Sequence, residues 1–316
     1  MKTTLVTAAD LERMLYAAMR GGRLPDAFLY ADEHCAREWL ALDRSSSFTV
    51  AQRLSDLLLR EEALLRRHCS WCEHLFGLGV GDAAKERFLC EKLNITNATV
   101  FDVGEAFVDH GMQVLAQQCR RVDGIVGMFE HLAPHLRTWR GPGLVTMLGN
   151  TFCNYDAPQL LCVLASITEP DDRVLIDAHL VDESADTDIL RRIEQTYRSR
   201  QNARFNLAPL TRRGLAPQAA RFSLHLRKTT TPGGAAWRTH KTITIERDSV
   251  IRCGGDSLKL TTGATLEGGC TYLYPLRTLR LLIEQNGFAI SAECLSEDAD
   301  NVLLVLRRYQ TKETPS

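Results

Sequence analysis

The chain has 316 residues, enough for two domains or for one large domain carrying an insertion, and ample to bury a core. Apolar residues make up 45% and charged residues 24%, ordinary globular usage that excludes intrinsic disorder as the main state. With 38 basic and 39 acidic side chains the net charge is −1, which argues against a nucleic-acid binder working through bulk positive charge.

In chain order, Met1 to Val6 offers one lysine and a short apolar stretch before Asp10 and Glu12, and does not read as a secretory signal. Thr7 to Asp10 predicts a capping box, and Leu11, Leu15 and Met19 continue at helical spacing until Gly21-Gly22. Residues 23–48 read as a mixed loop with a Ser45-Ser46-Ser47 cluster. Thr49 is expected to cap a second amphipathic helix running to about Arg67, with Leu54, Leu57, Leu58, Leu64 and Leu65 on one side. Residues 1–67 are thus expected to form a helical lead-in.

Strands then alternate with helices. His74 to Gly79 predicts a buried strand, Ala83 to Leu93 a helix, Ala98 to Val103 a strand, and Glu105 to about Gln118 a helix. Val122 to Met128, Leu144 to Leu148 and Asp172 to Ala178 predict three more strands, with a helix over Ala157 to Ser166. Such alternation implies a parallel sheet with crossover helices. From about residue 204, Arg221 to Lys228 and Arg238 to Glu246 alternate like antiparallel strands around a turn at Thr229 to Gly234. Pro275 opens a helix over Leu276 to Asn286, stopped by Gly287. Phe288 to Leu295 and Val302 to Arg308 read as final strands before a polar tail, Gln310 to Ser316.

The strongest local signal is Gly77-Leu78-Gly79-Val80-Gly81, which leaves a strand and enters a helix. Glycines there allow a ligand close to the backbone, and a helix N-terminus supplies N–H donors. Asp102 ends the next strand about 20 residues on, where a carboxylate can accept both ribose hydroxyls of a nucleoside. A dinucleotide or S-adenosylmethionine suits this pairing; a glycine-rich turn beside a surface aspartate is the plainer reading. The G-x-G-x-x-G spacing is not met, since Asp82-Ala83-Ala84 follows Gly81, which leans away from NAD.

The run Leu78-Gly79-Val80-Gly81-Asp82-Ala83-Ala84-Lys85-Glu86-Arg87 resembles the first motif of the histidine-specific S-adenosylmethionine-dependent methyltransferase family. Val122 to Phe129, Leu148-Gly149-Asn150-Thr151-Phe152-Cys153-Asn154, Arg173 to Val181 and Arg204-Phe205-Asn206-Leu207 resemble further family segments, in the same order. The likeness covers roughly residues 70–210 and, more weakly, 265–308. It implies an α/β fold with a class I methyltransferase (Rossmann-like) sheet, the helical lead-in, and an inserted β-rich substrate domain. The expected divisions are 1–67, a cofactor-binding part at 68–203, the insertion at 204–270, and a return to the core at 271–316.

The resemblance implies S-adenosylmethionine as cofactor, with Gly79, Gly81 and Lys85 toward its methionine end, Asp102 on the ribose, and Met128 and Phe129 at the adenine. Asn154 would lie between cofactor and substrate, and Tyr197 matches a substrate-site tyrosine; these two are the catalytic candidates. Glu267, Thr271 and Tyr272 complete the substrate set. The chain departs from the family in four places. The family's tyrosine- and proline-containing N-terminal substrate loop has no clear counterpart near Ser45-Ser46-Ser47-Phe48. Gly77 replaces an acid at the end of the first strand, and Met128 replaces an aspartate. Leu266-Glu267-Gly268-Gly269-Cys270-Thr271-Tyr272 puts glycine at position 269, where the family has an imidazole-gripping glutamate. The implied substrate is therefore a small amino acid or amine derivative other than histidine.

A sulfonium methyl is already activated, so such an enzyme mainly aligns a neutral amine and excludes water. The amine must first lose a proton, for which Tyr197, Tyr155, Tyr272 and Glu267 are candidate routes. A catalytically silent binding protein that keeps the fold is the alternative. No metal, nucleic acid or membrane is expected, and the 10 cysteines read as reduced thiols of a cytoplasmic protein. His68-Cys69-Ser70-Trp71-Cys72-Glu73-His74 gathers four metal-ligand types but lacks a second half-site, so packing is the expected role. His179, at the end of a strand, reads as a substrate contact or a solvated loop residue. Arg191, Arg192, Arg198, Arg200 and Arg204 read as a solvated helix face.

Overall fold

The computed structural model describes residues 1–45, 50–132, 137, 139–184 and 187–309. The expected cap Thr49 and the tail from Gln310 to Ser316 lie outside them. The chain begins with strand β1 (Lys2–Thr4) and helix α1 (Ala8–Arg20). Thr7 and Asp10 cap α1 reciprocally, as expected, and Leu11, Leu15 and Met19 are buried. The expected loop at 23–48 instead holds β2 (Arg23–Leu24), a 3-10 turn (Asp26–Leu29) and α2 (Glu33–Asp43). Asp32 starts α2 by accepting the Cys35 N–H at 2.9 Å. Only Cys35, Ala36 and Leu42 of α2 are buried, so its apolar stripe is too thin to stand out in sequence. The expected second helix is two, α3 (Val50–Arg60) and α4 (Glu62–Cys69), broken at Glu61 (φ −97°, ψ 17°).

The expected alternation follows: β3 (His74–Leu78), α5 (Ala84–Leu93), β4 (Asn97–Asp102), α6 (Glu105–Leu115), β5 (Arg121–Val126), β6 (Gly143–Met147), α7 (Ala157–Ile167) and β7 (Arg173–His179). Two helices that periodicity did not resolve come next, α8 (Thr187–Tyr197) and α9 (Arg200–Thr211). Residues 204–211, expected to open the β-rich segment, complete α9 and bury Phe205, Leu207 and Leu210. Then come β8 (Ala220–Thr231), β9 (Gly234–Ile245), β10 (Ser249–Cys253), β11 (Asp256–Leu260), β12 (Thr265–Gly268), β13 (Tyr272–Leu273), α10 (Leu276–Gln285), β14 (Phe288–Leu295) and β15 (Asn301–Arg308).

The main sheet has the order β1-β5-β4-β3-β6-β7-β15-β14. It is parallel from β1 to β7, and β15 runs antiparallel to both β7 and β14. Central β3 is buried along its whole length, so after His74 its residues are apolar rather than alternating. The chain leaves β3 toward β4 and later returns to β6 on its other side. That reversal opens a crevice at the carboxyl ends of the strands, where ligands of open α/β sheets bind.

The second sheet runs β13-β9-β12-β2, with β8 also on β9, beside the hairpin β10-β11. Strand β2 belongs to the lead-in, yet Arg23 and Leu24 pair with Glu267 and Gly268. The lead-in thus stitches both sheets, β1 to the main one and β2 to the other. The Tyr274 N–H donates to the His179 carbonyl at 3.2 Å and the Val181 N–H to the Tyr274 carbonyl at 3.0 Å, tying β13 to the end of β7. No helix among the described residues is long and apolar enough to cross a membrane.

Gly104, the N-cap of α6, anchors the lead-in sterically: a Cβ there would lie 2.3 Å from the Tyr30 carbonyl oxygen. Gly104→Ala is expected to cost about 1–3 kcal/mol of stability by overpacking. Urea unfolding checks this, and an unchanged midpoint would mean that the 26–43 segment does not press on α6.

Candidate active site

A cleft of about 1280 Å³, counting solvent at its open mouth, lies over the carboxyl ends of β3 to β6. Its floor is the glycine loop. Gly79 and Gly81 hold left-handed φ of 69° and 56°, and a Cβ on Gly81 would lie 2.7 Å from the Trp39 ring of α2. At both positions a side chain would be strained, and it would crowd Trp39 at Gly81 and Thr151 at Gly79.

Asp102 ends β4, 6% exposed, and accepts the Gly104 N–H at 3.0 Å. Burial raises its carboxyl pKa to about 6, with the N–H groups of Gly104, Gly81 and Val103 opposing. Met128 and Phe129 follow β5 and form one wall, the Phe129 ring meeting Tyr155 edge-on at 4.7 Å. Lys85 reaches the cavity from α5 beside Gly149. Burial alone would lower its pKa, but the carboxylates of Glu86, Asp82, Asp43 and Asp177 hold it above its ordinary value.

The far end is polar. Asn154 Oδ1 accepts the Thr271 hydroxyl at 2.8 Å, and Thr271 is fixed in turn by its N–H to Thr239 Oγ1 at 2.7 Å. Asn202 and Asn206 of α9 line the same end, Asn206 Nδ2 donating to the Asn202 carbonyl at 2.8 Å. Tyr197 also faces the cavity, and its hydroxyl meets His179 Nδ1 at 3.4 Å. Burial pushes the phenols of Tyr30, Tyr155 and Tyr197 up, so all three are protonated at neutral pH. They can donate hydrogen bonds and relay a proton but cannot act as resting bases.

The structure thus brings together Gly79, Gly81, Lys85, Asp102, Met128, Phe129, Asn154, Tyr197 and Thr271. Glu267 and Tyr272, expected in the substrate set, stand off the cavity walls. Glu267 is exposed on β12, and the half-buried Tyr272 stacks on Tyr274 at 5.8 Å. The two-residue period of a strand explains Glu267: Leu266 is buried, so its neighbour faces out. Sequence reasoning missed Asp26, Tyr30, Trp39, Asn202 and Lys241 in the lining. The first three sit in the stretch read as loop, and a lone Lys241 on a strand carries no signal.

Other candidates are accounted for locally. Cys69 and Cys72 are buried, and burial raises both thiol pKa values. His74 stacks on Trp139 at 5.2 Å and shares a 2.9 Å hydrogen bond with Thr99; burial lowers its pKa to about 4. Among the described residues no three metal-ligating side chains converge. Burial lowers the pKa of half-buried His179 to about 4, and burial raises that of the Cys153 thiol. Arg198 pairs with Glu194 and Arg204 with Glu38.

A sheet of this order, parallel except for its antiparallel strand β15, with a left-handed glycine loop after its central strand and an acid at the end of the next, defines a class I S-adenosylmethionine-dependent methyltransferase. The chain belongs to the family described as histidine-specific, SAM-dependent methyltransferases, whose profile matches residues 7–308. Among solved structures it is similar to the PH0226 protein of Pyrococcus horikoshii OT3, at 11% identity and a TM-score of 0.44, covering 86% of this chain and 97% of that one. It is also similar to an S-adenosylmethionine-dependent methyltransferase from Clostridium acetobutylicum ATCC 824, at 7% identity and a TM-score of 0.43, covering 88% and 97%. A third is SAM-bound CalS10, an amino pentose methyltransferase from Micromonospora echinaspora, at 10% identity and a TM-score of 0.40, covering 80% and 91%. No curated protein sequence matches the chain.

The residues present fit the cofactor. The buried carboxylate of Asp102 opens on the cavity, and Gly79 and Gly81 line it with left-handed backbone that carries no side chain. The acid expected of the family at position 77 has no room: a Cβ there would lie 2.7 Å from Val80 and 3.0 Å from Glu86 Cγ. Glu86 of α5 brings a carboxylate beneath that glycine instead, and burial raises its pKa to about 7. Gly77→Asp is therefore expected to lose about 1–3 kcal/mol of stability by overpacking. Denaturant unfolding reads this, and a neutral or stabilising result would show that Glu86 yields.

Proposed function

We propose that the protein transfers a methyl group to the amine of a small amino acid or amino-acid derivative other than histidine, in the cytoplasm. The observation that carries this reading is one cavity with two unlike ends. A strand-end carboxylate and aromatic wall lie at one end, and the hydrogen-bonded pair Asn154–Thr271 with Asn202, Asn206 and Tyr197 lies at the other. Amide and hydroxyl groups of this kind suit the ammonium and carboxylate of an amino acid. The proposed divisions stay as read from sequence (1–67, 68–203, 204–270 and 271–316), with 204–270 serving the substrate.

When bound, S-adenosylmethionine supplies the electrophilic methyl group. Asp102 accepts the ribose hydroxyls, Met128 and Phe129 border the adenine, and Gly79, Gly81 and Lys85 receive the methionine end. Asn154 and Thr271 orient the substrate amine, with its lone pair toward the cofactor. Tyr197 donates to the substrate and relays the amine proton outward, since its phenol stays protonated. Family membership favours this enzyme over a silent binding protein of the same fold, and detectable turnover of any amine would exclude the silent one.

Calorimetric titration with S-adenosylhomocysteine, repeated with amino acids added, is the test. Binding that tightens with one amino acid, followed by a mass gain of one methyl group under S-adenosylmethionine, is the expected result. Failure of every amine to bind or react would overturn the proposal. A pH series adds a second check. The Asp102 carboxylate must be ionised to accept two hydroxyls, and its pKa without cofactor is about 6. Affinity should be full above that pH and fall by up to about tenfold per unit below it. Asp102→Asn should weaken binding and flatten the profile; an unchanged profile would remove Asp102 from the ribose.

A further inference from the structure

The substrate end of the cavity carries a charged pair from two remote segments. Lys241 Nζ, on β9, lies 2.9 and 3.1 Å from the two carboxylate oxygens of Asp26, in the turn after β2. Both side chains line the cavity and both are nearly buried, at 11% and 9% exposure. Two glycines seat them. A Cβ on Gly269 would lie 2.1 to 2.5 Å from the Asp26 carboxyl group, and a Cβ on Gly268 would lie 2.8 Å from Lys241 Cβ. Neither glycine has a left-handed φ, so space rather than backbone conformation is what glycine provides there. The resemblance puts a glutamate at position 269, but the Asp26 carboxylate already occupies that space.

We propose that the Asp26–Lys241 pair is a specificity filter that admits substrates whose distal group is uncharged and hydrogen-bonding, and rejects those bearing a net charge there. This rests on the amine-methylation reading above. A paired acid and base present donors and acceptors side by side with no net charge. An amide or hydroxyl can bond to both partners without separating them. A cation would compete with Lys241 for Asp26, and an anion would compete with Asp26 for Lys241. Either leaves one buried charge unpaired, which is costly. The pair also ties the turn to β9, but that tie alone would not rank ligands by charge.

The test uses the full-length protein saturated with S-adenosylhomocysteine and titrated with amino acids grouped by side-chain charge, including glutamine, glutamate and lysine. In the wild type, uncharged polar side chains should bind at least about tenfold more tightly than either charged group. Asp26→Asn frees Lys241 and should shift the ranking about tenfold toward glutamate. Lys241→Met frees Asp26 and should shift it likewise toward lysine. The double variant Asp26→Asn with Lys241→Met carries no charge and guards against misfolding of either single variant; it should keep the uncharged preference, and thermal melting confirms that it folds. Wild-type binding of charged and uncharged side chains alike, a ranking unmoved by the single variants, or a charged preference in the double variant would overturn the filter while leaving amine binding intact. If S-adenosylhomocysteine binds but no amino acid does, the amine-methylation reading falls and takes the filter with it.

Discussion

Asp177 has no exposed surface, yet near the end of β7 it places a carboxylate beneath the loop that lines the cavity. Both oxygens accept the Asn150 N–H at 3.1 Å, and burial raises its carboxyl pKa to about 6, against the charge of Lys85. A buried carboxylate is tolerated only where donors and a counter-charge are fixed around it. The loop leaving β6 supplies the donor by turning Asn150 left-handed at φ 63°, and Asn150 Oδ1 accepts the His179 N–H at 3.3 Å. That clamp joins the exits of β6 and β7. The short 3-10 turn Phe152–Asn154 projects from it, and so the position of Asn154 depends on it.

The lead-in is structural and forms part of the site. Its two short strands extend different sheets, and Leu24 and Phe28 join a core with Leu207, Leu210, Ile243 and Leu266. Trp39 covers Gly81, and Tyr30 packs against Phe205 at 5.5 Å. The segment therefore lines both ends of the cavity at once, with Trp39 over the glycine loop and Asp26 at the polar end. A ligand filling both ends would touch the main sheet, the lead-in and the second sheet together, which makes its affinity sensitive to how these three are mutually held.

Legibility in the sequence tracked how local each signal was. The parallel strands are buried on both faces and read as apolar runs, and the capping box at Thr7 and the glycine loop at 77–81 are short patterns with one physical cause each. The expected cofactor residues that line the cavity, from Gly79 to Phe129, lie in contiguous strand–turn–helix units. Helix α2 escaped the periodicity reading because only three of its residues are buried, whereas over α8 and α9 the arginines pointed to a helix face without giving its bounds. Glu267 is turned away from the cavity by the alternation of β12, which family position does not reveal.

The substrate end shows why its chemistry is harder to read. Asp26, Asn154, Tyr197, Asn206, Lys241 and Thr271 come from six separate elements or turns, joined only by folding. No spacing rule connects them, and a carboxylate at the position of a missing side chain can arrive from an element more than two hundred residues away in sequence, as Asp26 does at Gly269. A motif alignment sees the glycine and infers a lost function. The geometry shows a position refilled from elsewhere, with a lysine added beside it. The two halves of such a site can therefore diverge separately: the cofactor half is bound by local backbone geometry, while the substrate half can exchange charges among distant segments without disturbing the sheet.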